Sequence, residues 1–170
     1  KTRGKPSSTR KAIASAVALV LAAMAAAPAM AASTCPNTGG STITINNVET
    51  ASCFLNNGDS LTLTSTGVIS GFDPAVAVNG TSATSIDNGG TISGTTWGID
   101  VYNAGSVTGA ITNNNVISGG NFGIHIVTGS SVGSIANNAG GTITGGSAGI
   151  GLFTSSSVTG GITNSAGGAI

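Results

Sequence analysis

Hydrophobic and polar positions along this chain fall into short alternating runs, and from Ile86 to Ile170 those runs repeat. The phrase Ile86-Asp87-Asn88 returns as Ile111-Thr112-Asn113, Ile135-Ala136-Asn137 and Ile162-Thr163-Asn164, at spacings of 25, 24 and 27 residues. After it come Thr91-Ile92-Ser93-Gly94, Val116-Ile117-Ser118-Gly119 and Thr142-Ile143-Thr144-Gly145. Next are Trp97-Gly98-Ile99-Asp100-Val101, Phe122-Gly123-Ile124-His125-Ile126 and Ala148-Gly149-Ile150-Gly151-Leu152, and last the pairs Ser106-Val107, Ser131-Val132 and Ser157-Val158. A period of roughly 20–50 residues marks a solenoid, a propeller or an array.

Each period holds alternating runs of about three to five residues separated by Gly, Asn and Ser, and Gly and Asn tolerate the positive φ of tight turns. Helical repeats need long amphipathic segments, and none occurs after Pro28; the Leu-x-x-Leu-x-Leu frame of leucine-rich repeats is also missing. The pattern predicts an all-β, right-handed parallel β-helix of about four to five coils of ~25 residues, each stacked about 4.8 Å above the last. Equivalent residues then form inward columns: Ile86, Ile111, Ile135 and Ile162; Ile69, Ile92, Ile117 and Ile143; Val76, Ile99, Ile124 and Ile150; and, by the period-two rule, Val78, Val101, Ile126 and Leu152. Asn88, Asn113, Asn137 and Asn164 sit two residues after the first column, point the same way and are expected to form an amide ladder at a corner; the alternative is a polar binding stripe.

One imperfect coil precedes the clean ones. Gly58-Asp59-Ser60-Leu61-Thr62-Leu63 reads as a turn and an alternating strand, while Val68-Ile69-Ser70-Gly71 and Ala75-Val76-Ala77-Val78 match the second and third phrases. Irregular terminal repeats suit a cap, because the end coil faces water. Before it, Thr42-Ile43-Thr44-Ile45 alternates like a half-buried strand. The predicted organisation is a signal segment over 1–32, an N-terminal capping region over 33–60 and β-helix repeats over 61–170.

Composition agrees with this and narrows it. Charged residues make up 6 % of the 170, aromatics 4 % and hydrophobics 39 %, with 28 Gly; disordered chains are instead charged and poor in β-branched residues. Lys1, Arg3, Lys5, Arg10 and Lys11 are all five basic residues, whereas Glu49, Asp59, Asp73, Asp87 and Asp100, all five acids, lie later. After Lys11 the balance is 0 − 5 = −5. A phosphate backbone is bound by cations, so nucleic acid is excluded as a partner of the body.

The basic start, the apolar run Ala12–Ala27, Pro28 and the small-x-small triplet Ala29-Met30-Ala31 read as a secretory signal cleaved after Ala31. A membrane span needs roughly 20 apolar residues, and this run is shorter. The long basic region and the absence of an initiator Met at Lys1 suggest that sequence is missing at the start. In an exported chain, Cys35 and Cys53, the only two cysteines, suggest a disulfide flanking the first strand; two unrelated thiols are the alternative. Closing that loop is worth about 3 kcal/mol in the chain-entropy picture. Two Cys and one distant His are too few for a metal site, and no cofactor is expected.

Together the signal segment, the Cys-flanked strand, Asn57-Gly58-Asp59-Ser60-Leu61-Thr62-Leu63 and the Ile-x-Asn…Ile-Ser-Gly…Gly-Ile-x-Val coils resemble the passenger of a Gram-negative autotransporter (type V secretion). The resemblance covers nearly the whole chain and rests on repetitive motifs. It implies export through the inner membrane, then passage to the outer membrane and cell surface, or release, through a C-terminal β-barrel translocator. That barrel is not in this chain, which stops in mid-coil at Ala169-Ile170 and reads as a fragment.

No catalytic residue is assigned. Polysaccharide-cleaving β-helices need clustered carboxylates and a cation for the developing charge; the body has no Lys or Arg, and Asp73, Asp87 and Asp100 are not one coil apart, so they are expected on different faces. His125, the single histidine, lies between inward Ile124 and Ile126 and is expected to face solvent, paired with Asp100 one coil below. The Gly-rich strings lack the strand-to-helix setting of a phosphate loop. Trp97 and Phe122 are equivalent and should stack. Tyr102, Val127 and Phe153 form an outward column, which makes Tyr102 and Phe153 the candidate surface-binding residues for a glycan or a host-cell or matrix protein. The expected role is adhesion or surface interaction without enzymatic activity; a spacer stalk and a secreted polysaccharide-degrading enzyme are the alternatives.

Overall fold

Alternation of β-branched residues with Ser and Thr, broken every few residues by Gly and Asn, produces strands too short to stand alone. Their backbone groups must pair with neighbouring coils. In the computed structural model, which describes Cys35 and residues 38–170, they do so in parallel, layer upon layer. The predicted signal segment 1–32, with Ala29 and Ala31 at its cleavage site, lies outside the described residues.

The first layer holds β1 (Thr42–Ile45), β2 (Val48–Glu49) and β3 (Cys53–Leu55); the second holds β4 (Ser60–Leu63), β5 (Val68–Phe72) and β6 (Val76–Asn79). The third comprises β7 (Ser82–Ala83), β8 (Ser85–Asn88), β9 (Thr91–Gly94) and β10 (Trp97–Tyr102), and the fourth β11 (Ser106–Asn113), β12 (Val116–Gly119) and β13 (Phe122–Ile126). The fifth has β14 (Ser131–Asn137), β15 (Thr142–Gly145) and β16 (Ala148–Leu152), followed by β17 (Ser157–Val158) and β18 (Ile162–Asn164). Sheet A stacks β1-β4-β8-β11-β14-β17 with β7 and β18 alongside; sheet B stacks β2-β5-β9-β12-β15; sheet C stacks β3-β6-β10-β13-β16. Two sheets five strands deep correspond to about four turns of a parallel β-solenoid. No described residue is helical.

The observed register reproduces the predicted columns. Leu61, Ile86, Ile111, Ile135 and Ile162 are consecutive partners in sheet A; Ile69, Ile92, Ile117 and Ile143 in sheet B; Val76, Ile99, Ile124 and Ile150 in sheet C. Most of these side chains are fully buried. At the upper end Ile162 is 45 % and Leu152 39 % exposed, whereas Ile143 stays buried beneath the Thr142–Ala169 bridge. β1, β2 and β3 pair in register with β4, β5 and β6, so the capping region supplies a complete layer. Cys53 heads the Val76–Ile99–Ile124 column and is bonded to Cys35, with their Cα atoms 5.3 Å apart.

At the corner between sheets A and B the amide ladder is present. Asn88 Nδ2 donates to Asn113 Oδ1, Asn113 Nδ2 to Asn137 Oδ1 and Asn137 Nδ2 to Asn164 Oδ1, each at 2.8 Å. The same amides donate to backbone carbonyls of the turn, such as Val116 O and Thr142 O. A corner has carbonyls that no strand can satisfy, and the ladder supplies their donors.

Candidate functional site

Strands in sheet A alternate buried and exposed residues, as Thr42–Ile45 does. Sheet C departs from this. The outward positions of its middle column are Phe54, Ala77, Asp100, His125 and Gly151, and both Ala77 and Asp100 are buried. A second layer of side chains therefore covers this sheet from outside. Aromatic residues build that layer. Of the six in the chain, Phe54, Trp97, Tyr102 and Phe122 lie on sheet C strands and Phe153 follows β16 directly.

His125 is the centre of the patch. Its Nδ1–H donates to Asp100 Oδ1 at 2.8 Å, one layer below. Its ring stacks on Trp97, with centroids 5.2 Å apart and planes 13° from parallel, and on Phe122 at 5.4 Å and 20°. Phe153 meets Phe122 edge to face at 5.3 Å and lies 5.5 Å from the imidazole. Contacts of this kind are each worth about 0.5–1.5 kcal/mol beyond area burial. Gly151 makes room for them: a Cβ there would stand 2.6 Å from Phe153 Cε2 and 2.9 Å from Phe122 Cδ1.

The expected Asp100–His125 pair is thus formed, but His125 does not face solvent freely. Its side chain is 14 % exposed and that of Asp100 7 %, because rings from three layers close over them. Trp97 and Phe122 are register partners as expected, yet each packs its ring on the imidazole. Of the two candidate surface-binding residues, Phe153 joins this cluster and stays 43 % exposed. Tyr102 lies two layers lower, partnered by Asn79, and has no ring contact among the described residues. The two stand at the ends of the Tyr102–Val127–Phe153 column, with Val127 between them.

Burial pushes the Asp100 carboxyl above its ordinary value; the hydrogen bond and charge of His125 oppose the rise, and the charge of Asp73 adds to it. Asp73 is exposed at the turn between β5 and β6, where its Oδ2 accepts from the Thr96 hydroxyl at 2.8 Å. Asp87 is on sheet A, apart from both, where its Oδ1 accepts from Asn114 Nδ2. Burial also raises the Tyr102 phenol, and the Asp100 charge contributes. Among the described residues no three His, Cys, Asp or Glu come together as metal ligands.

The signals that could have located this patch were Gly151 and the return of Phe153. A missing outward side chain in the His125 column leaves a place that a neighbouring ring can fill, and period-two alternation does not record that space. Comparison with protein-family models, with curated proteins and with solved structures finds no match, so fold and patch rest on geometry and chemistry alone.

Proposed function

We propose that this chain is the exported, cell-surface β-solenoid of an autotransporter-type passenger, and that it acts in adhesion or surface interaction without catalysis. The observation that carries the reading is the segregation of side chains. Five of the six aromatic residues gather at sheet C, while the outer face of sheet B shows Ser, Thr and Val. Exposed aromatic side chains concentrated on one face of a rigid scaffold are the usual material of a binding surface. A signal segment over 1–32 and a disulfide between Cys35 and Cys53 both suit an oxidising, extracytoplasmic destination. Its expected partners are its own translocator barrel and a host-cell or matrix ligand.

The rival readings have less support. A spacer stalk needs the regular stack alone and leaves the aromatic face without a role. A polysaccharide-degrading enzyme needs a second carboxylate and a cation beside the first; the Asp100–His125 pair is instead walled by rings.

The test is adhesion. The chain joined to an autotransporter translocator barrel and produced in a Gram-negative host is expected at the cell surface, degraded when intact cells are treated with protease, and the purified protein is expected to bind host cells or matrix. Phe153→Ala, and more weakly Tyr102→Ala, should reduce binding while leaving the circular dichroism spectrum unchanged. Protection of the chain in intact cells, or no binding by the wild type, would overturn the proposal.

A further inference from the structure

One group of touching side chains joins apolar surface to an unused polar atom. His125, Phe122 and Phe153 are in mutual contact, each pair of ring centroids lying 5.3–5.5 Å apart. Trp97 stacks on the same imidazole at 5.2 Å. Phe153 is 43 % exposed, so the cluster reaches the surface through its ring. His125 Nδ1–H is committed to Asp100, which makes Nε2 of the neutral imidazole a lone-pair acceptor. Nε2 has no partner among the described residues, yet it is not sealed in: the buried side-chain nitrogens and oxygens that lack partners there are Asn47 Oδ1 and Ser156 Oγ. An acceptor open to solvent beside an exposed ring suits a ligand that combines apolar surface with O–H donors.

Charge narrows the choice. No Lys or Arg follows Lys11, so the body holds no cation to balance an anionic ligand. The Asp100 side chain is 7 % exposed and engaged by His125, so it offers little to a cationic one. A neutral sugar fits what remains. One face of a pyranose carries C–H groups, which pack against the negative face of an aromatic ring, and its rim carries hydroxyl donors. We infer that the cluster is a carbohydrate site, in which a neutral sugar ring lays its C–H face on Phe153 and donates a hydroxyl hydrogen to His125 Nε2. This rests on the interaction role proposed for the chain and names the class of its ligand. Aromatic lining with a few placed polar groups is the usual make-up of a small-molecule site.

Trp97, the only tryptophan, reports from within the cluster. Titrating the purified protein with lactose, cellobiose, mannobiose and chitobiose is expected to change Trp97 emission saturably for at least one of them. Affinity should hold constant as salt rises through the physiological range, because no exposed ion pair is made. Digalacturonate, which is anionic, should leave the emission unchanged. In nitrogen NMR of the single histidine, saturation with the bound disaccharide should shift Nε2 and leave Nδ1 in place. Phe153→Leu, which keeps apolar bulk and removes the ring, should weaken binding about two- to tenfold, the scale of one aromatic contact. Phe54→Leu, which removes a similarly exposed ring from the first layer, should not. No saturable change with any of the neutral sugars, equally tight binding of digalacturonate, an unmoved Nε2 resonance, or equal loss in the two variants overturns the inference. Adhesion to cells or matrix that is lost on Phe153→Leu but competed by none of these sugars means a partner other than carbohydrate: this inference fails and the adhesion role stands. Saturable, Phe153-dependent sugar binding without adhesion to any cell or matrix supports the carbohydrate site and overturns the adhesion role.

Discussion

At the scale of single residues, Asp100 shows how the outer layer alters chemistry that a bare β-face would leave alone. A carboxyl at an outward strand position is ordinarily solvated. Here rings and a neighbouring layer bury it, and the His125 N–H meets only part of the cost. Its pKa is raised above the ordinary 3.8. A carboxyl whose folded pKa exceeds its unfolded one contributes stability while protonated, below the unfolded value, and that contribution is lost as pH rises through the window up to the folded value. The melting temperature of the wild type relative to Asp100→Asn should therefore fall as pH is raised from about 3 upward. A difference that stays constant would show that folding leaves the Asp100 pKa unchanged, and one that grows with pH would show that the charge is better stabilised in the folded protein than in the unfolded chain.

Turn corners decide matters at the scale of elements. Between sheets A and B the corner is held by side-chain amides that repeat once per layer, each satisfying turn carbonyls and its neighbour. Asn113 occupies the middle of the ladder: its amide bonds Asn137, Asn115 O and Thr142 O, and its Oδ1 accepts from Asn88. Asn113→Ala strands several buried groups and should cost about 2–4 kcal/mol, since each unsatisfied one is worth about 1–3 kcal/mol. Asn114→Ala, one residue on and exposed, breaks only surface bonds to Asp87 and Asn138 and should stay within about 0.5 kcal/mol. Urea denaturation of the two variants measures both; equal losses would deny the ladder its structural role. At the opposite corner, after each sheet C strand, the backbone uses left-handed residues: Asn103 and Ala104, Thr128 and Gly129, Thr154 and Ser155. Repeated positive φ at this corner accompanies the return of the chain toward sheet A.

For the whole molecule, stability is a property of stacking. Each layer buries its aliphatic residues only between the layers above and below it, so identical residues differ in worth with height. Ile117 is fully buried with register partners on both sides, Ile92 and Ile143. Ile162 is 45 % exposed, with a partner on one side only. Ile117→Ala should cost about 2–5 kcal/mol and Ile162→Ala less than about 1 kcal/mol, compared by thermal or urea melts. Equal costs would contradict a nearest-neighbour stack. At the lower end, the Cys35–Cys53 bond closes the chain onto the first layer, where Glu49 replaces the aliphatic residue that the sheet B column otherwise carries.

The strand positions, parallel register, inward columns, amide ladder and Asp100–His125 pair were all legible in the sequence. The reason is that a repeat stacks each residue on its equivalent, so sequence period becomes spatial neighbourhood. What lay outside that rule was decided by the tertiary structure. Enrolment of Val48–Glu49 and Cys53–Leu55 beside Thr42–Ile45 depends on pairings such as Glu49 with Ile69 and Phe54 with Ala77, which backbone hydrogen bonds permit and side-chain pattern does not announce. Burial of His125 depends on the Phe153 ring, whose backbone keeps its column position, filling the space that Gly151 leaves open. That is a contact between non-equivalent positions, set by side-chain volume, and a period carries no information about it. The repeat therefore determined the scaffold, and packing across unlike positions determined the one patch where the scaffold carries distinctive chemistry.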